Sequence, residues 1–194
     1  MKKRHIKSKL LVLSAIAVIV ALSAYGSIAY FTVEDTARNV ITAGNVKIEL
    51  QETMLTPDGE NIVPFEDQIG VMPGCEVSKI VRVKNTGEQP SWIRVSVEKA
   101  IELAEGVEGE VDLSLVSFDL NTKKWIERDS FFYYTEVLEP GQTTEPLFTS
   151  VAFSKTMSNL YQDGHAILTV CAYGVQTVHN GNAVLEAAGW PAAN

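Results

Sequence analysis

The sequence predicts an all-β fold, an antiparallel, jelly-roll-like β-sandwich with one or two short helices. Apolar and polar residues alternate with a period of two through most of the chain, the mark of half-buried strands. Turn-forming clusters separate the alternating runs, among them Thr56-Pro57-Asp58-Gly59, Pro73-Gly74 and Glu139-Pro140-Gly141. Helical signals are confined to short stretches near the C-terminal end. About eight or nine short strands at regular turn spacing is the pattern of a sandwich.

The chain opens with Lys2, Lys3, Arg4, Lys7 and Lys9 and no acid. An apolar run follows over residues 10–22, broken only by Ser14, and then the small residues Ser23, Ala24, Gly26, Ser27 and Ala29. That order of basic, apolar and small segments is a secretory signal. Ser27-Ile28-Ala29 places cleavage between Ala29 and Tyr30, which divides the chain into a signal peptide (1–29) and a single β-sandwich domain (30–194). The 20 residues from 10 to 29 are about enough to span a bilayer, so a retained anchor is the alternative. The Ser, Gly and Ala of their second half favour cleavage, after which no membrane attachment is expected.

Strands are expected in order from there. Tyr30, Phe31, Thr32 and Val33 are β-formers, and Val40-Ile41-Thr42 continue them in an N-terminal segment, residues 30–43, expected to be mobile. Val46, Ile48 and Leu50 share a face. Residues 77–84 form a strand with Val77, Val81 and Val83 on one side, and residues 92–98 form the cleanest one. In the latter Ile93, Val95 and Val97 point inward and Arg94, Ser96 and Glu98 outward, and the two strands read as a hairpin-like pair. Residues 102–110 form an acidic loop, after which Val111, Leu113 and Leu115 resume alternation with a phase shift at Val116 and Phe118. Residues 131–138 and 147–153 are further strands. Residues 154–161 form a helical turn capped by Ser154, and Asn182 caps a short helix over 183–188. Residues 166–178 are apolar on both faces, as in a central strand covered on both sides.

Removing residues 1–29 takes five basic residues from the 16 in the chain and leaves 11 against 24 Asp and Glu, a formal charge of −13. So acidic a surface repels nucleic acid, which is excluded as a partner. The remaining 165 residues suit one domain that folds without a metal or a disulfide framework. Cys75 and Cys171 are an even count in an exported chain and permit one intramolecular disulfide, worth up to ~4–5 kcal/mol in the chain-entropy model. Two separate buried thiols are the alternative.

Catalytic constellations are missing from the pattern. His5 leaves with the signal, and His165 and His179 sit beside turns without an HExxH spacing. No G-x-S-x-G elbow or Cys-His pairing is recognisable. Glu105, Glu108, Glu110 and Asp112 gather carboxylates that suit a hard cation, yet no calcium-loop spacing organises them. The expectation is therefore a non-enzyme with no cofactor and no catalytic or metal-binding residue.

The junction Ala29-Tyr30-Phe31-Thr32, with Asp35-Thr36-Ala37 and Asn39 behind it, leads into Thr42-Ala43-Gly44-Asn45-Val46-Lys47-Ile48-Glu49-Leu50. With Val71-Met72-Pro73-Gly74, residues 77–87 and residues 133–151, it resembles the TasA/camelysin family of secreted proteins processed by SipW-type signal peptidases. The resemblance implies a β-rich protein of the extracellular matrix or cell surface, some relatives of which form biofilm fibres. It also implies a SipW-type peptidase as export partner and copies of the same chain as partners in a homo-oligomer or fibre. In that setting Phe31, Thr32, Val33, Val40 and Ile41 are the expected donor strand, added to the sheet of another copy. The competing implication is a camelysin-like surface metalloprotease.

Overall fold

The computed structural model describes residues 31–35 and 39–192; the segment 1–29 and the cleavage positions Ala29 and Tyr30 lie outside the described residues. Alternation does become strand. In chain order these are β1 (Phe31–Asp35), β2 (Asn39–Thr42), β3 (Ile48–Leu55), β4 (Ile62–Pro64), β5 (Gln68–Val71) and β6 (Glu76–Ser78). They continue with β7 (Ile80–Asn85), β8 (Ser91–Glu102), β9 (Val116–Phe118), β10 (Trp125–Arg128), β11 (Phe131–Tyr134), β12 (Ser150–Phe153) and β13 (Gly164–Gln176).

Two layers face each other. One is a seven-stranded sheet in the order β10-β11-β8-β13-β1-β5, with β2 also paired to β13. The other combines β4-β3-β7 and β6-β12-β9. Residues 143–149 stitch its two parts together: Lys79 N donates to Thr149 O at 3.0 Å, Leu147 N to Val81 O at 2.9 Å and Thr144 N to Val83 O at 2.9 Å. Leu50, Val81, Val83, Phe148 and Val151 from this layer meet Val33, Ile93, Val95, Leu168 and Val170 from the first, all fully buried. Each such side chain contributes roughly 1.5–3 kcal/mol relative to exposure. The all-β sandwich is the fold.

The spine of the larger sheet is β8 against β13, antiparallel over twelve pairs from His165↔Glu102 to Gln176↔Ser91. Gly164 opens β13 because nothing larger fits there: a Cβ would lie 2.7 Å from Glu102 O and 3.0 Å from Tyr161 O. The inner face of β13 carries Ala166, Leu168, Val170 and Ala172 into the core. Its outer face is covered too, so the expectation of a strand packed on both sides holds. Trp92, Tyr133 and Val175 there are roofed by Val184, Ala187 and Trp190 of the C-terminal residues.

Several finer expectations are corrected. Residues 77–84 are two strands, because Lys79 turns into the interior between β6 and β7. The second of these does not pair with β8: β7 joins β3 in one layer while β8 joins β13 and β11 in the other, so residues 86–90 cross between sheets. The phase shift near Val116 is a 3₁₀ turn at Leu113–Leu115, capped by Asp112, that runs straight into β9. The two helical segments are single 3₁₀ turns, Asn159–Tyr161 and Val184–Glu186. Ser158, not Ser154, caps the first through Leu160 N, and Ala183, not Asn182, precedes the second. Two pairings are parallel, β1 and β2 each against β13, where an antiparallel sheet was expected throughout.

Candidate functional site

The expected donor segment does not lie at an open edge. Phe31, Thr32 and Val33 stand in β1, which runs parallel to β13 in the register Phe31↔Gly164 to Asp35↔Leu168. On its other side β1 pairs antiparallel with β5, Thr32 opposite Ile69 and Val33 opposite Gln68. It is thus an interior strand that closes a slot between β13 and β5. Val33 drives this placement, because its side chain is fully buried among the core residues. Val40 and Ile41 lie in β2, which continues along the same edge of β13, Val40 beside Ala172 and Ile41 beside Tyr173. Val40 is 38% exposed, so β2 is held mainly by main-chain hydrogen bonds, extended by Ala43 N to Gly174 O at 3.2 Å.

Among the described residues, a polar contact on the outer face links β1 to the domain. His165 Nδ1 lies 2.7 Å from Glu34 Oε1, both side chains about two-fifths exposed. Glu102 stands across from His165 in the β8–β13 register. Exposed contacts of this kind contribute at most about 1 kcal/mol, so Val33 and the ladder bonds hold the strand far more than this pair does.

Of the two arrangements the sequence permits for Cys75 and Cys171, a bridge or separate thiols, the structure has the second. Both are free thiols, Cys171 buried and Cys75 half-buried. Alternation explains the separation: Cys171 lies between Val170 and Ala172, whose side chains enter the core, and so points to the outer face. Cys75 packs against that core from the other side of the sheet.

Three clusters escape the sequence patterns. Arg94, expected to face solvent, is 9% exposed on the outer face. Its guanidinium carbon lies 3.8 Å from the Phe131 ring centroid, 5.1 Å from that of Tyr173 and 4.8 Å from that of Trp190. Its Nη2 donates to Pro191 O at 2.8 Å, so the arginine clasps the C-terminal cover. Lys79 and Glu52 form a buried ion pair at 2.8 Å, with the Phe65 ring 3.8 Å from the ammonium. Asp119 accepts from Thr149 N and Ser150 N, each at 2.7 Å, and from the Thr149 hydroxyl. Burial pushes the Asp119 carboxyl up, but these hydrogen bonds outweigh it and hold it below the usual carboxylate value.

Among the described residues no three His, Cys, Asp or Glu side chains are grouped to hold a metal ion. Among them, too, no helix is long and apolar enough to cross a membrane. Glu105, Glu108 and Glu110 are exposed along their loop, and Asp112 is occupied as the cap of the 3₁₀ turn. No protein-family model matches the chain, and neither a curated protein nor a solved structure matches it.

Proposed function

We propose that the chain is a secreted structural protein of the extracellular matrix or cell surface, whose part beyond residue 29 assembles into fibres by exchanging its N-terminal strand. The observation that carries this reading is the place of β1. It is the first described element, it fills an interior slot between β13 and β5, and it enters the core through one fully buried side chain, Val33. The slot accepts any strand of the same sequence, so β1 of one copy can complete the sheet of the next. Main-chain hydrogen bonds supply affinity, and the buried position supplies register. A contact of one copy's strand with the next copy's slot is head-to-tail and gives filaments when the rotation does not close. Before cleavage at Ala29 the strand is tethered to the export signal; cleavage by a SipW-type peptidase frees it.

The test is deletion of residues 30–39 from the mature protein, imaged by electron microscopy. Fibres should vanish. Because the slot then stands empty, the variant should also unfold at a lower temperature, and a synthetic peptide of residues 30–42 should restore that temperature. Fibres that persist unchanged after the deletion would contradict the exchange. N-terminal sequencing of protein from the culture medium should return Tyr30 or a residue or two beside it, and Met1 there would contradict the processing.

A further inference from the structure

We propose that Asn180-Gly181 is a self-modifying switch: loss of ammonia from the Asn180 side chain releases the C-terminal cover of the larger sheet. Asn180 forms the base of that cover. Its Nδ2 donates to Gln176 O at 2.9 Å and to Ala188 O at 3.1 Å, and its Oδ1 accepts from Ala188 N at 2.8 Å. Its main-chain carbonyl accepts from the Trp92 indole at 3.0 Å. One residue thus joins the end of β13 to the chain that returns over Trp92, Tyr133 and Arg94.

The same residue is the one most open to attack by its own backbone. Asn180 is the only asparagine of the chain followed by glycine; Asn39, Asn45, Asn61, Asn85 and Asn121 all precede Val, Ile or Thr, whose branched side chains crowd the next nitrogen. Gly181 has no side chain, stands exposed at φ 79°, and its N–H donates to no partner among the described residues. A groove of about 420 Å³, lined by Gly44, Val178, His179 and Gly189, brings water to Asn180. In the reaction Gly181 N attacks Asn180 Cγ. The N–Cγ bond forms, the Cγ–Nδ2 bond breaks, and Nδ2 leaves as ammonia with the proton that Gly181 N gives up. Water then opens the cyclic imide. Cleavage at N–Cγ leaves aspartate; cleavage between Gly181 N and the Asn180 main-chain carbonyl leaves isoaspartate, with the main chain rerouted through the side chain. Water is the sole co-reactant, and nothing is oxidised or reduced.

Both products break the base of the cover. Aspartate puts an acceptor-only oxygen where Nδ2 donated, facing the Gln176 and Ala188 carbonyls. Isoaspartate turns the carbonyl that held Trp92 into a free carboxylate and lengthens the main chain there. The native side chain is locked by its bonds to Gln176 and Ala188, so attack waits for the cover to open. Opening is then captured, because neither product can remake those bonds. The change runs one way, and it depends on neither export nor strand exchange.

The test ages the purified protein in mildly alkaline buffer, below its unfolding temperature, and reads peptide masses and amide hydrogen exchange. The peptide bearing Asn180 should gain the mass of an amide-to-acid change ahead of every other asparagine peptide. In the converted fraction, protection should fall across residues 186–188, whose amides donate to Ala183 O, Val184 O and Asn180 Oδ1. The expected loss is about tenfold, the equivalent of one net hydrogen bond. Asn180→Asp should show the same loss without ageing, and the loss should shrink in acid, where the introduced carboxyl regains a proton to donate. Asn180→Ala, which removes the bonds without adding charge, should lose protection equally at either pH. An Asn180 peptide that keeps its amide mass in the folded protein, unchanged protection in the converted fraction, or an Asn180→Asp variant as well protected as native protein would overturn the proposal.

Discussion

Lys79 and Glu52 show how a single residue sets local architecture. A lysine in the middle of a valine-rich run interrupts a strand because its ammonium turns inward to Glu52 on β3, beneath the ring of Phe65. Removing one partner leaves the other charge buried and uncompensated, so Lys79→Met should cost about 3–5 kcal/mol in urea unfolding. Lys79→Met with Glu52→Leu should recover most of that loss, which a plain packing role for Lys79 would not allow. Asp119 acts in the same layer, on Thr149, whose carbonyl accepts from Lys79 N. Its carboxyl is held low in the folded state, so its contribution is present above the unfolded carboxylate value and is lost as pH falls through the folded one. Asp119→Asn should therefore be less stable than native protein at pH 7, with the gap closing below about pH 4. Neither role is legible from the local pattern. Glu52, Lys79 and Arg94 occupy ordinary positions in alternating runs, and only their tertiary neighbours reveal that they are buried. Arg94 obeys its alternation, pointing away from Ile93 and Val95 as expected; what the pattern cannot show is that Trp190 and Pro191 return to cover it.

At the scale of elements, strand existence was readable because alternation reports burial directly, as in Ile93, Val95 and the long run at β13. Partnership was not. The hairpin expected between residues 77–84 and 92–98 rests on adjacency in sequence, whereas β7 and β8 bury their apolar faces from opposite layers toward one core. The parallel pairing of β1 with β13 joins residues about 130 positions apart and has no local signature. The C-terminal cover is likewise defined by what it covers. Trp190 packs edge-on against Tyr133 at 5.8 Å and over Arg94 at 4.8 Å, while Asn180 ties the base of the cover to Gln176 O and Ala188 O. Trp190→Ala should lower stability by about 1–3 kcal/mol through lost burial and lost cation–π contact. It should also raise hydrogen exchange across residues 131–134 and 173–175 ahead of the core strands. The two cysteines belong to this scale too, since the sheet stands between them: the denatured, unreduced protein should titrate two free thiols, and a count of zero on a monomer would restore the bridge.

At the scale of the whole molecule, the proposed assembly draws on a formal charge of −13 over residues 30–194 and on a sandwich whose interior strand β1 comes from the N-terminal segment. An acidic surface opposes close approach of copies, so the proposed assembly relies on main-chain pairing at defined strands. The most direct test of strand exchange is to read which copy β1 fills. Two variants are mixed, one carrying only Thr32→Cys and the other only His165→Cys; positions 32 and 165 face each other in the β1–β13 register, within the ordinary reach of a disulfide. Fibres grown from the mixture are oxidised and mapped by peptide mass. Exchange predicts a covalent dimer of the two variants, joined between positions 32 and 165. Fibres that form without that link, while a single chain bearing both substitutions cross-links internally, would show that β1 stays in its own domain and that the fibre is built another way.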